Sequence, residues 1–253
     1  MTAALELADV AAALAGRTVI EAVSLTVAPG ELVGVLGANG CGKTTLLRAA
    51  LGLIALSAGE ARLADREVGG LSEAERASRA GYLPQERRIG WNLPAWRVAA
   101  LGVPQQSPAR AREIAMGALA EVAMTHLAER GVLDMSGGER ARVLLARLIA
   151  TGAPLLVADE PAASLDPAAQ LLVMELLRAR VAAGAAVLVT LHDLTLAARG
   201  CDRLAVMAAG RLIALGPPRQ ALAPDILAAA FALDGAMMET RAGPVIAARR
   251  VIP

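Results

Sequence analysis

Glycines, a lysine and two threonines fall at a spacing that makes one segment of this chain a seat for phosphate. Between Glu31 and Leu47 the sequence runs ELVGVLGANGCGKTTLL. The apolar stretch Leu32 to Leu36 reads as a short buried strand, and a helix-forming run from Lys43 follows the loop Gly37, Ala38, Asn39, Gly40, Cys41, Gly42. The three glycines permit backbone conformations and close approach that a side chain would block, so successive N–H groups can converge on phosphate oxygens. Lys43 is placed to reach the terminal phosphates and Thr44 to offer a hydroxyl to Mg²⁺. Thr45 continues into a helix whose positive dipole end favours an anion. Gly37, four residues, then Gly42-Lys43-Thr44 is the full Walker A spacing, with the required strand before it and helix after it. Cys41, beside Lys43 and the helix start, is expected to react with maleimide unless nucleotide covers it.

A second apolar run, Pro154 to Ala158, ends in Asp159-Glu160-Pro161. It lacks the alternation of a half-solvated strand and fits a parallel strand buried on both faces. Adjacent strand residues point to opposite sides, which gives the two carboxylates different tasks. Asp159 is placed to bind Mg²⁺, directly or through water, and Glu160 to orient and deprotonate an attacking water. An acidic turn that only solubilises a strand end would look the same in isolation; paired with the phosphate loop, it reads as catalytic. Ala186 to Leu191 is another apolar strand, closed by His192. That histidine either satisfies a structural contact or, if its strand neighbours the one before Asp159, hydrogen-bonds a transferring phosphoryl group. The other histidine, His126, is read as structural, on an amphipathic helix.

Alternating strands and helices position these groups, which implies an α/β fold with a mostly parallel sheet and its chemistry at the strands' carboxyl ends. Residues 5–10 and 18–27 read as strands turning at Gly16-Arg17, an antiparallel flap beside the nucleotide. Ser72 with Glu75 forms a capping box for a brief helix. From Glu86 to Gly131 the pattern is helical, broken at Pro94, Pro104 and Pro108. Ser136-Gly137-Gly138-Glu139 opens a helix to about Ala150, with Ser136 as N-cap. Ser164-Leu165-Asp166-Pro167 caps another, to about Ala183. Leu204 to Leu215 reads as a hairpin, followed by helix to about Leu233; past Gly243 the pattern gives no reading. The expected division is a single domain over residues 1–253. Its nucleotide-binding core and flap span 1–85 and 151–233, a helical subdomain 86–150, and a C-terminal tail 234–253. Tyr82, Trp91 and Trp96 cluster, and the two tryptophans with Arg87, Arg88 and Arg97 suggest either a docking surface or the insert's own core.

Composition bounds the partners. Twenty-five Lys+Arg against 24 Asp+Glu leave no field that would make nucleic acid the main partner. Although 56% of residues are hydrophobic, no uncharged apolar run reaches the ~20 residues of a spanning helix, so the chain is expected to be soluble or peripheral to a membrane. Two cysteines suggest a reducing compartment, and Glu6 and Asp9 stand where a signal peptide would be basic.

With these pieces assembled, the chain resembles the ATP-binding subunits of ABC transporters. Ser136-Gly137-Gly138-Glu139 looks like that family's signature loop, set between the Walker A segment and Asp159-Glu160, with Gln85 upstream; the likeness spans Leu5 to about Leu233. It implies a P-loop NTPase with an N-terminal antiparallel β subdomain and an inserted α-helical subdomain, using ATP and Mg²⁺. By the same likeness Gln85 is similar to the Q-loop glutamine that contacts the metal and the reaction. Leu165 and Asp166 with Ser164 resemble the D-loop, and His192 the switch histidine. Two copies would pair head to tail, so that Ser136, Gly137 and Gly138 cap the nucleotide held by the other copy. Transmembrane permease subunits, an extracytoplasmic substrate-binding protein reached through them, and a peripheral place on the cytoplasmic face of the membrane are also implied. Tyr82-Leu83-Pro84-Gln85-Glu86-Arg87, Trp91, Leu101-Gly102 and Leu191 to Ala197 look most like importers of iron–siderophore, haem and cobalamin.

Two departures matter. Met135 stands where the signature usually has leucine, a swap of similar volume. No aromatic lies near Leu14, where the family stacks adenine, which predicts weaker ATP affinity by roughly tenfold. A soluble ABC ATPase acting on nucleic acid or ribosomes would call for paired cassettes, coiled-coil arms or a basic stripe. A metabolic P-loop kinase has no use for Ser136 to Glu139.

Overall fold

The continuous apolar runs read from the sequence form the centre of the molecule. The structure, a computed structural model, describes residues 2–86, 89–163 and 165–251. In chain order it contains β1 (Leu5–Leu14), β2 (Arg17–Val27), β3 (Leu32–Gly37), α1 (Lys43–Ala50), β4 (Ala58–Leu63), β5 (Arg66–Glu67), α2 (Glu73–Arg79) and β6 (Ala80–Leu83). The helices α3 (Ala95–Ala100), α4 (Pro108–Glu121) and α5 (Gly137–Ala150) follow. The remainder is β7 (Leu155–Ala158), α6 (Pro167–Ala182), β8 (Ala186–Thr190), α7 (Leu194–Gly200), β9 (Arg203–Ala208), β10 (Arg211–Gly216), α8 (Pro218–Ala221), α9 (Pro224–Phe231), β11 (Leu233–Thr240) and β12 (Gly243–Arg250).

The main sheet has the order β10-β9-β3-β8-β7-β6, parallel except at the β9–β10 edge. Strands β3, β7 and β8 are buried along their whole length, and their alternating side chains feed two separate cores. Val33, Val35, Leu155, Val157 and Leu188 join α1 and the antiparallel sheet β2-β1-β4-β5. Leu32, Leu36, Leu156, Val187 and Val189 join α6, α7 and the packed helices α3, α4 and α5. Helix and flap on opposite faces explain why these strands show no polar alternation.

The C-terminal segment, for which the sequence pattern gives no reading past Gly243, forms a hairpin. Helix α9 ends where Ala232 takes a left-handed conformation, φ +54°, and β11 and β12 then pair antiparallel from Leu233↔Arg250 to Thr240↔Gly243. His126 also differs from expectation: it lies exposed on a single 3₁₀ turn, Thr125–Leu127, and not on an amphipathic α-helix. Among the described residues no helix is long and apolar enough to cross a membrane.

Candidate functional site

The loop between β3 and α1 is held in shape by backbone contacts within the loop and to the β9–β10 turn. Gly42 has φ +106°, and a Cβ there would lie 2.7 Å from Ile20 Cγ2 and 3.1 Å from the Val19 carbonyl oxygen, so both conformation and space demand glycine. Cys41 N–H donates to Ala38 O and Gly210 N–H to Cys41 O, each at 3.2 Å, tying the loop to the β9–β10 turn. Lys43 is 6% exposed, and its Nζ donates to Gly37 O at 2.9 Å and Ala38 O at 3.4 Å. Two carbonyls thus hold a desolvated cation along the loop. Ser72, Ser107, Ser136, Asp166 and Asp193 cap α2, α4, α5, α6 and α7 with their side chains. Helix α1 begins on Gly42 with no side-chain cap and no acidic residue in its first turn, which leaves its first N–H groups to an anion.

Across the sheet, β8 lies between β3 and β7 and brings the acidic pair and His192 beside this loop. Asp159 is fully buried. Its N–H donates to Leu83 O at 2.8 Å, and its Oδ1 accepts from Thr190 Oγ1 at 2.6 Å. The same Thr190 hydroxyl accepts from Glu160 N–H at 2.7 Å. Thr190 is therefore a site residue that sequence reading missed; its only signal was a hydroxyl at the end of an apolar strand, two residues before His192. Among the described residues, Asp159 Oδ2 is buried without a hydrogen-bond partner. Such an orphaned carboxylate oxygen is costly unless a cation or its water reaches it, so the site fits Mg²⁺. Glu160 adopts φ +51°, an uncommon conformation for a residue with a Cβ, and its Oε1 lies 2.5 Å from His192 Nε2.

These elements enclose a cleft of about 440 Å³. Asn39, Gly40, Gly42, Lys43, Thr44 and Thr45 line it from the loop, Gln85 from beyond β6, Glu160 and His192 from the strand ends, and Val19 from the flap. Gly37, Ala38 and Cys41 complete the loop without lining that cleft. Cys41 is turned into the core, 6% exposed, which corrects the expectation of a reactive thiol. Leu14 does not line the cleft either; the flap residue that does is Val19.

The remaining candidates lie elsewhere. Ser136 caps α5 in a reciprocal box, its N–H donating to Glu139 Oε2 at 2.8 Å and its hydroxyl accepting from Glu139 N–H at 3.3 Å. The Ser136 N–H holds the Glu139 carboxyl below its ordinary pKa. Asp166 accepts from Ala169 N–H at 2.9 Å as the cap of α6. Neither Ser136, Gly137, Gly138 nor Asp166 lines the cleft. Ser164, Arg87 and Arg88 lie outside the described residues. The two tryptophans separate. Trp96 Nε1 donates to Glu129 Oε2 at 3.0 Å, and Arg112 and Arg97 stack at 4.8 and 5.4 Å from its ring centre, so it belongs to the packing of the helical insert. Trp91 is 75% exposed and lines a groove of about 140 Å³ with Pro84, Glu86, Ile89, Leu101 and Arg147.

Comparison with known proteins adds to this geometry. A family model described as ABC transporter matches residues 20–163. The hemin import ATP-binding protein HmuV of Bordetella pertussis is 41% identical over 231 residues, covering 87% of this chain and 88% of its own. The protein of the same name from Pseudomonas fluorescens is 42% identical over 243 residues, covering 92% and 95%. Among solved structures, a chain from an inward-facing ABC transporter superposes with a TM-score of 0.84 at 23% identity, covering 98% of both chains; it shows the shared fold.

Proposed function

The chain belongs to the ABC transporter family of ATP-binding proteins, and on that premise we propose that it is the ATP-hydrolysing subunit of an importer for haem or a related chelate of the iron–siderophore or cobalamin kind. The names of its relatives support haem first. The observation that carries the mechanism is the convergence of Lys43, Thr44, Gln85, Glu160 and His192 on one cleft.

Lys43 and the loop N–H groups bind the β- and γ-phosphates. Thr44, Gln85 and Asp159 would hold Mg²⁺, which neutralises phosphate charge when bound. Glu160, 8% exposed and held at a strained φ by Thr190, orients the attacking water and accepts its proton. His192 steadies that carboxylate and contacts the γ-phosphate, so that its contacts change when the phosphoryl group leaves. The absence of Ser136, Gly137, Gly138 and Asp166 from the cleft of their own chain supports their service to a second copy, in a head-to-tail pair. The exposed Trp91 groove supports contact with a membrane permease, through which an extracytoplasmic binding protein would deliver solute, and hence a peripheral place at the cytoplasmic face.

The test is Glu160→Gln. Turnover should fall by about 10²-fold or more, the lower bound for loss of a general base, while ATP binding persists and a nucleotide-dependent dimer accumulates on size exclusion. Normal turnover would remove Glu160 from its role. Cells carrying only the Gln variant should lose growth on haem iron; unimpaired haem use with loss of another chelate would move the solute assignment to that chelate.

A further inference from the structure

We infer that the C-terminal hairpin β11–β12 is a strap on α7 that positions His192 against Glu160 for ATP turnover. The inference rests on the role proposed above for His192.

Helix α7 is seven residues long, too short to hold its shape by its own hydrogen bonds. It nevertheless carries the end of the site: Asp193 is its N-cap, accepting from Leu196 N–H at 2.8 Å, and His192 immediately precedes that cap. Leu196, Ala197 and Ala198 of α7 are buried against the main core. Thr195 and Arg199, four apart, share a face, and both are gripped by β12. Ile246 N–H donates to Thr195 Oγ1 at 3.1 Å, and Arg199 Nε donates to the Pro244 carbonyl at 2.8 Å. The hairpin is itself anchored: Leu233, Met237 and Ile246 pack against the core, and Arg219 Nη2 donates to Glu239 at 3.0 Å.

His192 needs such support because packing does not fix it. Its side chain is 45% exposed, while the carboxylate it meets is 10% exposed and set by a strained backbone. The stiff partner is Glu160, and the freedom left in the pair belongs to His192 and the helix behind it. The phosphate loop touches neither β12 nor the gripped face of α7 in its hydrogen bonding. A strap acting through His192 therefore predicts an effect on the chemical step and none on nucleotide affinity.

The test compares the full chain with the double variant Thr195→Val/Arg199→Met, which keeps an apolar stem at both positions and removes both grips, and with a chain ending at Ala232. Turnover of the double variant should drop roughly five- to twentyfold with KM for ATP within about twofold, the signature of an interaction made in the transition state. In a His192→Ala background the same double variant should cause no further loss, a non-additivity that a general structural role would not produce. Unchanged kcat in the double variant, or an equal loss with and without His192, overturns the strap. Full turnover in His192→Ala alone refutes the role of His192 itself, and the strap with it. If the shortened chain does not fold, the double variant still decides.

Discussion

Replacing Thr190 with valine keeps the shape of a fully buried side chain and deletes one hydroxyl. That hydroxyl donates to Asp159 Oδ1 at 2.6 Å and accepts from Glu160 N–H at 2.7 Å. In the variant the Glu160 N–H loses its acceptor. Asp159, fully buried and already carrying one oxygen without a partner, loses its other side-chain contact. A buried polar group left unpaired costs about 1–3 kcal/mol, more when it is charged; two groups served by one hydroxyl relax together, so about 2–4 kcal/mol is expected. For a domain of this size each kcal/mol shifts Tm by about 2–4 °C, so calorimetry without nucleotide should show a fall on the order of 5–15 °C by the same relation. The bond also holds Glu160 at φ +51°. Releasing it misplaces the carboxylate, and kcat should fall by roughly 10- to 100-fold, since a 1 Å error in a reacting group can cost that much. Thr190→Ser keeps the hydroxyl and loses only a methyl, at about 1 kcal/mol, and should retain kcat. If the valine variant melts with the wild type and turns over normally, the hydroxyl bridge does not organise the acidic pair.

Two further outcomes separate residues that the sequence grouped together. Trp96→Ala should destabilise the chain by about 2–3 kcal/mol in urea unfolding, from lost packing and two stacked guanidinium groups; stability within error of the wild type would return Trp96 to the surface. Trp91→Ala should alter stability by less than about 0.5 kcal/mol, yet weaken co-purification with the permease. Neither Cys41 nor Cys201 should react with maleimide within minutes in the folded protein. Both are under a tenth exposed, and burial pushes the Cys201 thiol up to about 12. Two thiols should appear on denaturation, and rapid labelling of the native chain would contradict the burial.

Much of the site was legible because its strands are short and buried on both faces. The run before Gly37 and the one before Asp159 can be recognised without knowing their neighbours, and the loop glycines state their own purpose. Thr190 could not be read that way. A β-branched residue at a strand end looks like core until β8 is known to lie beside β7, and only that neighbour gives its hydroxyl two partners. The hairpin was hidden by composition. β11 mixes Asp234, Gly235 and Glu239 with its methionines, β12 contains a proline and ends in two arginines, and no strong turn pair joins them. Gly235 marks a strand and not a loop, since a Cβ there would sit 2.4 Å from Ala247 O across the pair. Cys41 misled for a different reason: proximity to Lys43 along the chain says nothing about which way the thiol faces.

Helix α1 starts on a glycine without a side-chain cap, whereas α2, α4, α5, α6 and α7 carry a serine or aspartate cap; α3, α8 and α9 also lack one but do not open on the phosphate loop. With the nucleotide's phosphates at that end, part of the fold is completed by the fuel. Binding to the folded chain alone adds about 2.7 kcal/mol when free ligand stands a hundredfold above its Kd, and that increment vanishes as ATP runs down. The resistance of the purified chain to proteases should therefore rise and fall with nucleotide concentration.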